Sequence, residues 1–102
     1  MVEEYQPREH NIRPHILLEI KRDVTLLKFN SGNDRPTQIK LRKGITVTLV
    51  DDTPSVCATT ERLATGPSVR IDRNQKTEIE DRFLNKVVTV PAQHLRVHKD
   101  EL

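Results

Sequence analysis

Three side chains near the C-terminal end, His94, Arg96 and His98 in "HLRVH", are spaced to share one face of an extended strand. Histidines two apart on a strand, about 7 Å from each other, are a common start for a metal site. Here the intervening position on that face is Arg96, a cation, and the two histidines would stand about 13 Å apart. No metal and no cofactor is therefore expected, and the stripe reads as a basic outer face that gains charge below about pH 6.5. Asp51 and Asp52 flank the turn-like "DDTPS", where a carboxylate serves best as a cap for backbone N–H groups. Asp72, Glu78, Glu80 and Asp81 form a second acidic group. Paired carboxylates hydrolyse glycosides only when they face each other across a cleft, and Glu78 and Glu80 have closer partners in Arg70, Lys76 and Arg82. The single cysteine, Cys57, has no histidine in its own segment and reads as a buried, unreactive thiol. With three glycines, scattered at 32, 44 and 66, no loop is built to cradle phosphate. The chain is expected not to be an enzyme.

The elements that would carry these residues are mostly strands. In "HILLEIKRDVTLLKF", Ile16, Leu18 and Ile20 alternate with other residues, as do Val24 and Leu26, and the polar "KRD" between them predicts a hairpin. A helix with Ile16, Ile20, Val24 and Leu27 on one stripe is the competing pattern. Residues 30–36 form a loop by composition. In "QIKLRKGITVTLVDD", Ile39 and Leu41, then Ile45, Val47 and Leu49, face one side of a half-buried antiparallel sheet. "DDTPS" and "ATGP" predict turns around a strand with Val56 and Ala58 inward, against a helix over residues 54–64 capped by Thr53. "SVRID" places Val69 and Ile71 inward. "TEIEDRFL" fits a strand or one or two helical turns starting at Thr77. "KVVTV" is a strand, Pro91 breaks it, and Leu95 and Val97 point inward after the break.

Turn signals about every ten residues from Gly44 to Pro91 predict an all-β fold, a small antiparallel barrel or sandwich. The ending "VTVPAQHLRV", strand, proline-led turn, strand, resembles the close of an SH3-like barrel. The resemblance covers these ten residues and implies architecture, not a ligand. At 102 residues the chain is one domain, a β-domain over residues 15–102 preceded by an arm, residues 1–14, that Pro7 and Pro14 keep extended.

Composition narrows the function. Hydrophobic residues make up 34% and charged residues 31%, a profile that folds but buries a modest core. Aromatic side chains are confined to Tyr5, Phe29 and Phe83, too few for a base-stacking platform. One cysteine allows no internal disulfide and fits a reducing compartment. No apolar run reaches 18 residues, so no partner membrane is expected. The terminal "KDEL" spells an endoplasmic-reticulum retention signal. The acidic, apolar-poor "MVEEYQPREH" is unlike a signal peptide, and the match reads as coincidence, with the protein expected in the cytoplasm or a larger intracellular assembly.

Two functions remain. The first is a non-catalytic interaction or assembly module, docking on a larger protein body or a second copy. The arm residues Val2, Tyr5 and Ile12 would anchor it and edge strands would extend a neighbouring sheet. Viral and phage structural or accessory subunits often have this build. The second is a nucleic-acid-binding module. Residues 15–50 carry seven Lys/Arg against three Asp/Glu, and Lys21, Arg22, Lys28, Lys40, Arg42 and Lys43 would face phosphates.

Overall fold

The computed structural model describes residues 16–29, 32, 35–73, 75 and 78–98. The arm, with Val2, Tyr5 and Ile12, and the terminal "KDEL" lie outside them. Among the described residues there are seven strands, all paired antiparallel: β1 (Leu17–Ile20), β2 (Val24–Lys28), β3 (Thr37–Leu41), β4 (Thr46–Thr59), β5 (Leu63–Ile71), β6 (Val87–Thr89) and β7 (Leu95–Val97). Two one-turn 3-10 helices, Asp81–Phe83 and Ala92–His94, precede β6 and β7. The fold is all-β, as the turn spacing predicts.

The fourteen-residue β4 organises the sheet. Its first half lies between β1 and β5, and its last residues lie between β2 and β5. β7 pairs with β1, β6 with β5, and β3 with β2. The first strand thus sits beside the last. Among the described residues the sheet is not closed into a barrel: β3, β6 and β7 each have a strand on one side only, and the outcome is an open, sandwich-like sheet.

Register explains the core. Val97, Leu18, Val47 and Ile71 fall in one row across β7, β1, β4 and β5, and none is more than 1% exposed. Ile20 opposes Leu95 in the next inward row. β-Branched and leucine side chains suit such rows, because cross-strand neighbours pack on one face of the pleat. Val24, Leu26, Ile39, Leu41 and Phe83 belong to the same cluster. Gly44, at φ 98°, makes the turn between β3 and β4 in a conformation that favours glycine.

Four sequence expectations are corrected. β1 and β2 are strands, but they do not form a hairpin with each other. The "KRD" segment is stapled sideways instead: Lys21 N–H donates to His94 O at 2.8 Å, and Gly44 N–H to Ile20 O at 2.8 Å. "DDTPS" does not reverse the chain. β4 passes through it with register shifts between Leu49 and Ser55, so the extra residues are absorbed as bulges. Pro54, lacking an N–H, is tolerated in that irregular stretch, and Asp51 Oδ1 accepts from Thr53 N–H at 2.9 Å. This bond holds the exposed Asp51 carboxyl below its ordinary range. "ATGP" likewise lies inside β5 and no helix occupies residues 54–64. Finally, beyond the bulges Cys57 faces inward and Val56 outward, the reverse of the expected phase. "VCAT" carries no decisive alternation of its own, and pairing with Thr65 and Ala64 of β5 sets the phase.

Candidate interaction groove

His94 is not on an outer strand face. Pro91 and the 3-10 turn that follows rotate it inward, where it is buried with Nδ1 3.3 Å from Arg22 O. Arg96 is also committed: its Nε donates to Glu19 Oε1 at 2.7 Å across the β1–β7 pair, and both side chains are largely covered. The acidic group is spread out. Glu80 pairs with Arg82 at 3.4 Å, and Asp72 Oδ1 accepts from Thr48 Oγ1 at 2.7 Å.

The six basic residues are distributed as follows. Lys40 and Arg42 are exposed at β3 and border two shallow clefts. Asp23, Glu61 and His94 share the first cleft; Glu78, Glu80 and Arg82 share the second. Arg22 reaches Gln93 O at 3.4 Å, Lys21 is half-buried, and the backbone N–H of Lys43 donates to Asp23 Oδ1 at 2.7 Å. Lys28 stands apart at the far end of β2, three residues along the strand from the Thr25–Lys40 pair. Acids are thus interleaved with Lys40 and Arg42.

The feature that stands out is apolar. Phe29, Val56 and Leu63 are each 71% exposed and Val87 is 55% exposed. All four line one groove of about 500 Å³. Phe29 follows β2 directly, Val56 lies in β4 past its bulges, Leu63 begins β5 and Val87 begins β6. Carrying the β2–β4 register two pairs outward sets Phe29 across from Val56. The groove opens where β2 and β6 both approach β4 and β5 without pairing with each other. Leu26, Ile39, Cys57 and Val88 lie deeper, and among the described residues Lys28 is the sole charged side chain lining the groove.

Large apolar groups gathered in one concave place, rather than scattered, mark an interaction site. Among the described residues, the groove's lining holds no carboxylate and no histidine. Cys57, in that lining, is buried, with Sγ 3.5 Å from Ala64 O, and burial pushes the thiol up from its ordinary range, away from the reactive thiolate. The four rim residues are separated by up to 58 positions in the sequence, so no local pattern marks them as a group. The one local clue is "VVTV" after "LNK", an apolar run with no alternation to say which side is covered. Compared with protein-family models, curated proteins and solved structures, the chain finds no match.

Proposed function

We propose that this domain is a non-catalytic interaction module that docks on a larger protein body, in the manner of a structural or accessory subunit. The observation that carries this reading is the concentration of Phe29, Val56, Leu63 and Val87 at one groove. Covering each of these side chains is worth about 1.5–3 kcal/mol at full burial, and association recovers the part left exposed. Val2, Tyr5 and Ile12 of the arm would add further anchors to the partner.

The alternative, a nucleic-acid-binding module, would use Lys21, Arg22, Lys28, Lys40, Arg42 and Lys43. It has weaker support, because acids share both clefts bordered by Lys40 and Arg42. Phosphate binding gains from uninterrupted positive charge.

The test compares the full chain with Val56→Asp and Leu63→Asp variants. These substitutions lie on exposed positions, so the unfolding midpoint should stay within about 0.5 kcal/mol of the parent. Proteins from the native cell extract that co-elute with the parent in size exclusion should be released by both variants. An identical retained set for parent and variants would exclude the groove as the docking site.

A further inference from the structure

The backbone beside the groove specifies how it is filled. In an antiparallel pair, residues alternate between bonding to the partner and pointing away from it. Ile71 N–H donates to Lys86 O at 2.9 Å, and Val90 N–H to Pro67 O at 3.2 Å. Lys86, Val88 and Val90 therefore address β5, with Val88 opposite Val69. Val87 and Thr89 turn their N–H and C=O groups the other way, along the edge that lines the groove. Among the described residues no strand pairs with that edge. An open edge next to an apolar slot is the arrangement used for strand addition: main-chain bonds supply registry, and alternate side chains fill the slot.

Charge limits the chemistry of the incoming chain. Among the described residues Lys28 lines the groove and no carboxylate does. Lys86 and Arg62 are exposed next in sequence to the rim residues Val87 and Leu63, and Arg70 is exposed opposite Val87. We propose that the groove takes an extended segment of a partner protein, apolar at alternate positions and acidic at its ends, which adds to the sheet along β6. This rests on the docking reading above and specifies its geometry. The slot is concave, between β2 and β6. A single strand enters it, whereas the β6 edge of a second copy would arrive with its own sheet behind it.

The probe is a random nine-residue peptide library, selected on the full chain and counter-selected on the Leu63→Asp variant. Enriched sequences should carry Val, Ile, Leu or aromatic residues at i, i+2 and i+4 with Asp or Glu at the flanks. On binding such a peptide, the amides of Val87 and Thr89 should slow in hydrogen exchange at least ten-fold, while Val88, already bonded to β5, should change little. Val87→Pro removes one outward donor at the first residue of an edge strand, a position that tolerates proline. It should weaken the peptide about five-fold beyond the effect of Val87→Ala, the equivalent of one hydrogen bond. Enrichment at helical i, i+3, i+4 spacing, lost on the Leu63→Asp variant, would overturn strand addition and leave the docking reading standing. Basic flanks would overturn the charge assignment. Failure to enrich anything over the variant would overturn the inference, independently of which proteins the chain retains from extract. Val87 and Thr89 amides already slow in the isolated chain, or a dimer lost in the Leu63→Asp variant, would assign the groove to this chain itself and overturn the proposed partner.

Discussion

Gly66 shows how one position can decide whether the sheet assembles. A β-carbon there would sit 1.8 Å from Val90 O and 2.7 Å from Ala92 N, both backbone atoms that cannot swing aside. Gly66→Ala should cost at least about 3 kcal/mol, read as a shift of the denaturant midpoint. The Glu19–Arg96 pair is a second such position. Its groups are 13% and 25% exposed, and removing one leaves the other poorly solvated. Arg96→Met should cost about 1–3 kcal/mol, and adding Glu19→Gln should recover part of it in a thermal double-mutant cycle. Cys57 gives a pH dependence. Burial raises its folded pKa above the unfolded value of about 9.0, so the folded state holds the proton more tightly. The associated stability is complete below that unfolded value and is lost as pH rises through the folded one. Urea midpoints measured from pH 8 to 10 should fall, and Cys57→Ala should flatten that fall. The same thiol reports on the groove it underlies: an occupying segment should slow its alkylation.

At the level of elements, the strands in which hydrophobic alternation is strong are legible. Ile39 and Leu41, Val47 and Leu49, Val69 and Ile71, and Leu95 and Val97 all face inward where their alternation places them. Alternation fails where pairing, not hydrophobicity, sets the outcome. β1 and β2 look like a hairpin because three polar residues separate them, yet β4 takes one side of each. Proline and glycine in "DDTPS" and "ATGP" look like turns, yet both lie in long strands whose bulges absorb them. Gln75 shows another link that sequence separation conceals. Its Oε1 accepts from Thr46 N–H at 2.9 Å and its Nε2 donates to Thr46 O at 2.8 Å, so one side chain completes the start of β4 as a neighbouring strand would. Gln75→Ala should cost about 1–2 kcal/mol, observed in the thermal midpoint, with faster exchange at the Thr46 amide.

For the whole molecule, charge and apolar surface point in different directions, and their arrangement separates them. The formal net charge is +2, and residues 15–50 hold the basic excess. In the folded domain acids sit among Lys40 and Arg42, while Phe29, Val56, Leu63 and Val87 gather at the opposite end of β2. A fluorescent 20-nucleotide single strand and its duplex should therefore show no saturable anisotropy change at 20 mM salt. Saturable binding that weakens with a steep log–log salt slope would restore the nucleic-acid reading. No helix among the described residues is long and apolar enough to cross a membrane.

The sequence by itself determined the all-β class, the inward face of most strands, the break at Pro91 and the lack of a local catalytic motif. These follow from side-chain period and residue chemistry, which act over a few neighbours. Only the tertiary structure decided that His94 turns inward, that Arg96 is held by Glu19, and that Phe29, Val56, Leu63 and Val87 share one groove. Each of those outcomes depends on register between strands far apart in the chain. A strand's period says which residues lie on the same face, but not which strand lies beside it or whether anything covers that face.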